Sequence, residues 1–176
     1  DKELLLSGLS SKDISDHNYV KRGSFINNLE YFDAEFFAYS PLDAKTMDPQ
    51  QRHFLECSWE ALEDAGVTLS NDQDRVGVFA GRGYNNYLHN NVRNSDLKDT
   101  IASSFHVHVN NSYLSTKVSY QFNLDGPSFD IDTACSTGLV SVDVAIDSLL
   151  SGKSDIALAG GVTLNQKSGY LYEEGM

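Results

Sequence analysis

The last third of the chain contains a strand, a helix and a second strand in direct succession. Residues 128–134 ("SFDIDTA") and 155–162 ("DIALAGGV") are predicted to be strands, the second of them buried, and residues 136–150 between them to be a helix. Gly152 follows as the expected helix stop. The helix is apolar nearly all round, so we expect other elements to pack on several of its sides. This succession is a βαβ unit, which predicts a layered α/β fold.

An earlier helix is indicated by its end signals and its periodicity. Asp48 is a typical N-cap, Pro49 suits the first helical position and Gln51 completes a capping-box spacing. Gly66 suits the left-handed residue that follows a helix end. The positions predicted to face the core are Phe54, Cys57, Ser58, Ala61, Leu62 and Ala65.

The other segments are less regular. Residues 1–47 are predicted to be irregular with short helical pieces, and we expect the five aromatic side chains of residues 31–39 to anchor that segment to a core. A buried strand is predicted for residues 75–81, and a short helix is predicted for residues 112–122. Residues 82–111 are polar and rich in asparagine, so no regular element is predicted there.

The charge balance excludes several classes of partner. The 176 residues include 25 acidic and 13 basic ones, for a net charge of −12. Such a chain, with its basic residues scattered, is not expected to bind nucleic acid or an anionic membrane surface. No apolar run approaches the length of a bilayer span, and two widely spaced cysteines do not form a secreted disulfide framework. We therefore expect a globular protein of the cytoplasm.

Cys135 stands where the predicted strand bends into the predicted helix. Unpaired backbone N–H groups and the helix dipole favour a thiolate at such a position. The dipole contributes only about 0.3–1 kcal/mol, so a nearby base would still help. Carboxylates would oppose a thiolate, and we expect Asp130 and Asp132, on one face of the strand, to be turned away or held by backbone donors.

Two interpretations of Cys135 are open at this point. Most cysteines are small buried apolar residues, and residue type alone favours that alternative. The neighbouring side chains favour a reactive thiol, because they leave room for a substrate carbonyl; they are Ala134, Ser136 and Gly138. A hydrolase elbow of the form G-x-C-x-G is not matched, since Thr133 and Thr137 occupy the two glycine positions.

Other candidate residues are interpreted as structural. Cys57 is expected in the core. His106 and His108 could share a strand face, but no third ligand has a spacing suited to a metal site. His53 is expected to be a surface or packing residue. The stretch "VFAGRGYNN" has Asn86 at the third glycine position of a dinucleotide loop, so we expect only a structural turn there.

Several longer stretches resemble the N-terminal half of a β-ketoacyl synthase, the condensing (ketosynthase) domain of modular type I polyketide synthases. They are "MDPQQRHFLECSWEALEDAG", "YLSTKVSYQFNLDGPS", "DTACSTGLVSVDVAIDSLLSGKSDIALAGGV" and "GYLYEEGM", in the family's order. With "FDAEFFAYSP" they cover most of residues 20–176. The resemblance implies a thiolase-like α/β/α/β/α fold. Residues 1–176 would be a partial ketosynthase domain, without the family's first strand and its C-terminal half.

The resemblance also implies an activity and partners. Cys135 would accept an acyl chain as a thioester from the phosphopantetheine arm of an acyl carrier protein, with its backbone N–H forming half of an oxyanion hole. Decarboxylative Claisen condensation with a malonyl-type thioester would follow, in polyketide or fatty acid biosynthesis. The chain itself would bind no cofactor and no metal. A homodimer, with residues 128–133 near its two-fold axis, and neighbouring polyketide synthase domains are implied as well.

Two features depart from the family pattern. The two histidines and the lysine that the family uses in condensation belong to the missing half, and the histidines of this chain, at positions 17, 53, 89, 106 and 108, match no family motif. We therefore predict that the isolated chain condenses nothing. Lys117 stands where the family often has arginine. The alternative from another class is a non-catalytic thiolase-like segment that only packs or dimerises.

Overall fold

The structure is a computed structural model that describes residues 1–6, 8–24, 26–68, 74–87, 111–164, 169–172 and 174–175. Contacts divide the chain into two compact units. One comprises residues 30–163, and the other comprises residues 1–29 with residues 164–176. His89, His106 and His108 lie outside the described residues, so the predictions made for them stay predictions.

The smaller unit consists of short elements. Helices α1 (Lys2–Leu6) and α2 (Ser11–Ser15) precede strand β1 (Tyr19–Val20), which pairs antiparallel with strand β5 (Tyr170–Leu171). Ser10 and Asp13 form a capping box at the start of α2. The short helices confirm the prediction for this part of the chain, whereas the two-residue strand was not predicted.

A parallel sheet forms the centre of the larger unit. Its strands are β2 (Val76–Arg82), β3 (Ser128–Asp130) and β4 (Ile156–Val162), and β2 lies between the other two. Every residue of β2 is buried, as predicted, whereas the residues of β4 are half-buried or exposed, so the prediction of a buried strand there is wrong. Helix α6 (Thr137–Leu150) connects β3 to β4. The predicted βαβ unit and its parallel strands are therefore confirmed, with a third strand inserted between the pair.

Helices cover both faces of this sheet. Helices α3 (Pro41–Thr46), α4 (Pro49–Asp64) and α5 (Leu114–Phe122) come before β3 along the chain. Alternate residues of β2 point to opposite faces: Val76 and Val78 join α4 and α5 in the core, while Gly81 meets Thr137 of α6. The buried core residues are Phe37, Leu55, Leu62, Val76, Val78, Val118 and Phe122.

Helix α4 begins as predicted but buries only part of the predicted face. Asp48 caps it by accepting the Gln50 N–H at 2.9 Å, so the predicted capping-box partner Gln51 is wrong. The predicted places of Ser58 and Leu62 are confirmed, and the buried residues of the helix are Gln50, Gln51, Arg52, Leu55, Ser58 and Leu62. Cys57, Ala61 and Ala65 are exposed, and their predicted places in the core are wrong. The buried face thus lies to one side of the stripe that the helical periodicity predicted, and α4 buries polar residues.

Two predictions for the βαβ unit need correction. Strand β3 ends at Asp130 rather than residue 134, because Ala134 has a positive φ of 53° and begins a 3₁₀ turn that ends at Ser136. Asp132 is therefore not on a strand face. Described residues cover only one side of α6, at Ser141, Ala145 and Ser148.

The outer side of α6 is apolar and open. Leu139 and Leu150 are 81% and 82% exposed, so the predicted packing on several sides is wrong for the residues that the structure describes. Small side chains on the inner side let the helix approach the sheet closely. Within the described ranges, no helix is both long enough and apolar enough to cross a membrane, α6 included.

Candidate active site

Cys135 lies at the corner between β3 and α6. It is the middle residue of the 3₁₀ turn Ala134–Ser136, and α6 begins two residues later at Thr137. The cysteine is exposed, which contradicts the alternative of a buried apolar residue. Among the residues that the structure describes, none accepts a hydrogen bond from the Cys135 backbone N–H. The corner thus presents a thiol together with a backbone donor.

Cys135 opens into a cavity of about 580 Å³. The cavity lies at the carboxyl ends of β2 and β4 and at the first turn of α6. In open α/β sheets, ligands bind at the carboxyl ends of the strands. The lining residues are Gly81, Arg82, Gly83, Tyr84, Asp132, Ala134, Cys135, Thr137, Gly138, Gly161, Val162 and Thr163.

The turn before Cys135 is strained and held by hydrogen bonds. Ala134 adopts a left-handed conformation, which costs a residue with a Cβ about 1–2 kcal/mol. Its N–H donates to Asp132 Oδ1 at 3.3 Å. The Ser136 hydroxyl donates to the Thr133 carbonyl at 2.7 Å, and the Ser136 N–H donates to the same carbonyl at 3.3 Å. Side chains next to the cysteine therefore hold its backbone.

The two carboxylates near the corner are held by backbone donors, as predicted. Asp132 accepts the Ala134 N–H, and Asp130 Oδ1 accepts the Ser115 N–H at 2.8 Å. Burial raises the pKa of Asp130, because its effect exceeds the lowering by the Ser115 hydrogen bonds and by the positive charge of Arg82. Both carboxylates thus have fixed backbone partners close to the thiol.

A buried ion pair at the edge of the cavity was not predicted. The Arg82 guanidinium donates to the Asp48 carboxylate, and the two side chains are 1% and 3% exposed. Burial lowers the pKa of Arg82, against the opposing charges of Asp48 and Asp130. One feature of the sequence could have indicated a buried ion pair: an arginine ends an otherwise apolar buried strand.

Gln50 connects this ion pair to the loop after β2. Its side-chain amide donates to Asp48 Oδ2 at 3.1 Å and to the Gly83 and Tyr84 carbonyls at 3.3 and 3.4 Å. The Gly83 N–H donates to the Val162 carbonyl at 2.9 Å. Gly81 and Arg82 are the last residues of β2, and Gly83 continues beside β4, so the structural turn predicted here is wrong for residues 81–83, which form one wall of the cavity.

Cys57, the second thiol, lies in a less reactive environment. Desolvation raises its pKa, and the negative charges of Glu60 and Glu56 raise it further. His53 Nδ1 lies 3.2 Å from Glu56 Oε2, which agrees with its predicted surface or packing role. No cluster of potential metal ligands occurs in the part of the chain that the structure describes. Cys57 therefore provides an internal comparison for Cys135.

Lys117 is a buried cation on helix α5. It is 7% exposed, and its Nζ lies 5.5 Å from the centroid of the Tyr39 ring. Burial lowers the pKa of Lys117 to about 8, although the charge of Asp43 opposes this change and that of Arg82 adds to it. The protonated lysine therefore destabilises the folded protein at neutral pH.

The free energy of unfolding is expected to rise by about 2 kcal/mol between about pH 7 and pH 9.5 because of Lys117. In this range the unfolded lysine, with its ordinary pKa of 10.5, holds the proton that the folded lysine releases near pH 8. Raising the pH therefore favours the folded state. Chemical denaturation of the wild type and of Lys117→Met measures this rise as a difference.

The predicted rise in the free energy of unfolding is limited to pH values below 10, because burial raises the pKa of Tyr39 to about 12. Folded Tyr39 keeps a proton that the unfolded chain loses from pH 10 upward, so its contribution to stability falls there. The same pH dependence in the wild type and in Lys117→Met would contradict the prediction.

Comparison with known proteins finds a matching family model, similar sequences and similar solved structures. The family model of the beta-ketoacyl synthase N-terminal domain matches residues 2–173. One component of the phenolphthiocerol/phthiocerol polyketide synthase of Mycobacterium tuberculosis is 40% identical over an alignment of 172 residues, and the alignment covers 93% of this chain and 12% of that protein. Polyketide synthase GfsA of Streptomyces halstedii is 43% identical over 153 residues, 85% of this chain and 2% of that protein.

Solved structures show the same likeness. Ketosynthase twelve of the bacillaene polyketide synthase from Bacillus amyloliquefaciens superposes with a TM-score of 0.85 at 34% identity, over 100% of this chain and 31% of that chain. The chain thus spans less than a third of that structure and a small fraction of its polyketide synthase relatives. A layered α/β fold of the thiolase type is confirmed for the part that matches.

Proposed function

The chain belongs to the β-ketoacyl synthase family, and from this we propose that it is the N-terminal part of a polyketide synthase ketosynthase domain in which Cys135 carries the acyl chain. One observation carries the proposal: the exposed Cys135 lies at the head of α6 and lines a cavity of about 580 Å³. A thiol in that place can receive an acyl group that reaches it through the cavity.

The proposed first step is a thioester exchange. The Cys135 sulfur attacks the carbonyl carbon of an acyl thioester on the phosphopantetheine arm of an acyl carrier protein. The carbonyl oxygen becomes negative in the tetrahedral intermediate, and the Cys135 backbone N–H is proposed as one of its donors. The intermediate expels the phosphopantetheine thiolate, which takes up the proton that Cys135 lost.

The second step requires residues beyond this chain. A malonyl-type thioester loses carbon dioxide, and the resulting carbanion attacks the acyl carbonyl on Cys135. The cysteine leaves as a thiolate, and a β-ketoacyl chain stays on the carrier protein. By likeness to the family, the histidines and the lysine for this step lie in the second half of the domain. Residues 1–176 alone are therefore expected to yield no β-ketoacyl product.

The family also suggests the setting of this activity. We propose a cytoplasmic multidomain synthase that dimerises through its ketosynthase and receives its substrates from an acyl carrier protein. The chain itself is proposed to hold no cofactor, since the phosphopantetheine arm belongs to the carrier.

Incubation of the complete ketosynthase domain with an acyl thioester is expected to add one acyl mass to Cys135. Intact-mass measurement followed by peptide mapping locates the adduct. Hydroxylamine should remove the acyl group, because hydroxylamine cleaves thioesters. Cys135→Ala should abolish the adduct. Cys57→Ala is the matched control, because it removes an exposed thiol whose raised pKa makes it a poorer nucleophile, and it should leave the adduct in place.

Two results would overturn the proposal. An acyl adduct on Cys57 instead of Cys135 would show that Cys135 is not the acyl acceptor. A complete domain without any adduct would instead favour the alternative of a non-catalytic segment that only packs or dimerises.

A further inference from the structure

The Thr137 hydroxyl joins the two ends of the turn that carries Cys135. Its oxygen accepts the Thr133 backbone N–H at 3.0 Å, and its proton is donated to the Ala134 carbonyl at 2.8 Å. One hydroxyl thus uses both its donor and its acceptor capacity on the chain just before the cysteine. Neither hydrogen bond involves the Cys135 sulfur, so the hydroxyl influences Cys135 through the backbone.

Ala134 is the residue that needs such support. Its φ of 53° is a left-handed conformation that a residue with a Cβ adopts only when its surroundings hold it. The Ala134 carbonyl accepts the Thr137 hydroxyl and also the Thr137 backbone N–H. The peptide group between Ala134 and Cys135 is therefore held from its carbonyl end. Its other end is the Cys135 N–H.

The Thr137 side chain is itself fixed in orientation. A Cβ built on Gly81 would lie 2.5 Å from Thr137 Cγ2, which shows how closely the threonine methyl packs against β2. A β-branched side chain has few χ1 choices, so the methyl contact directs the hydroxyl toward the turn. The methyl orients the side chain, and the hydroxyl holds the backbone.

We propose that Thr137 is a positioning residue for acyl transfer, whose hydroxyl aligns the Cys135 sulfur and backbone N–H with the incoming carbonyl. This inference rests on the proposed function of Cys135. Loss of the hydroxyl removes its bonds to the Ala134 carbonyl and the Thr133 N–H and leaves only the Thr137 backbone N–H on that carbonyl, so the Cys135 N–H is aimed less precisely at the carbonyl oxygen. Displacement of a reacting group by about 1 Å can lower a rate about 100-fold.

Four side chains at position 137 separate the hydroxyl from the methyl. In the complete ketosynthase domain, Thr137→Val keeps the shape and removes the hydroxyl, and we expect single-turnover acylation of Cys135 to slow by about 10- to 100-fold. Thr137→Ser keeps the hydroxyl and should stay within about 3-fold of the wild type. A comparison of Thr137→Ala with Thr137→Ser tests the hydroxyl in side chains that lack the methyl group. This comparison replaces the valine variant if that variant does not fold.

Alkylation by iodoacetamide is the readout that distinguishes positioning from loss of structure. This reaction needs an accessible thiolate but no donor to a carbonyl oxygen, so the valine variant should alkylate at Cys135 within about 3-fold of the wild type. Acylation and alkylation slowing in parallel would overturn the inference. So would equal acylation rates with and without the hydroxyl. A wild type that forms no acyl adduct would overturn the proposed function and this inference with it.

Discussion

Replacing Asp48 with asparagine is expected to lower the free energy of unfolding by about 3–5 kcal/mol. Asparagine keeps the shape of the side chain and an oxygen that can cap α4. It removes the negative charge that faces Arg82, and both side chains are almost fully buried. Arginine stays protonated, so its buried charge would lose the hydrogen-bonded carboxylate of Asp48. Chemical denaturation of the complete ketosynthase domain measures the loss.

An exposed ion pair provides the matched control. Arg75 and Asp155 form a two-point contact with distances of 3.0 and 3.1 Å, but their side chains are 50% and 40% exposed. Water and salt screen such a pair, so Asp155→Asn should destabilise the domain far less than Asp48→Asn. The same chemical change is thus made once in the interior and once at the surface.

A double variant tests whether charge burial is the cause. Asp48→Asn combined with Arg82→Met removes both charges, and it should be more stable than the sum of the two single losses indicates. Strict additivity of the two substitutions would contradict this explanation. So would equal losses for Asp48→Asn and Asp155→Asn.

Gly81→Ala is expected to slow acylation of Cys135 about 100-fold and to lower stability by roughly 1–3 kcal/mol. A Cβ at this position would collide with the Ile131 carbonyl oxygen and lie 2.5 Å from Thr137 Cγ2. Neither obstacle is the flexible end of a long side chain. The chain from Ile131 to Thr137 must therefore shift, and Cys135 lies within it. Single-turnover acylation and denaturation of the same protein measure both effects.

Gly160→Ala is the control for an added methyl group in the same sheet. Gly160 lies on β4, and a Cβ there would meet Phe54 Cε2 at 3.6 Å, an ordinary van der Waals contact. Its acylation rate should stay close to that of the wild type. Equal rates for the two alanine variants would show that the close packing of β2 against the corner does not position the cysteine.

Local features of the chain were predictable from the sequence. The ends of α4 and α6 follow from Asp48, Pro49 and Gly152, because caps and stops depend on residues within one turn. The parallel strands follow from the strand–helix–strand order. Placement of Cys135 just before α6 follows from the predicted start of that helix. These inferences needed no knowledge of which elements meet in space.

Features that depend on distant partners were not predictable. The apolar stripe of α4 placed Cys57 inside, but the sheet packs on a face centred nearer to Leu55, and the thiol is exposed. Arg82 and Asp48 are separated by 34 positions in the chain, so their pairing left no local pattern. The open side of α6 was also unexpected, since an apolar sequence reports what a helix can bury and not what covers it.

Local sequence is enough to establish the order of the elements, the parallel connection and the presence of a thiol at a helix start, because each depends on neighbouring residues. How that thiol is presented depends on the folded arrangement. The left-handed Ala134, the hydroxyl of Thr137 and the close approach of Gly81 act together at one corner. Sterically demanding backbone conformations persist where packing and hydrogen bonds from several elements hold them, and those contacts exist only after the chain has folded.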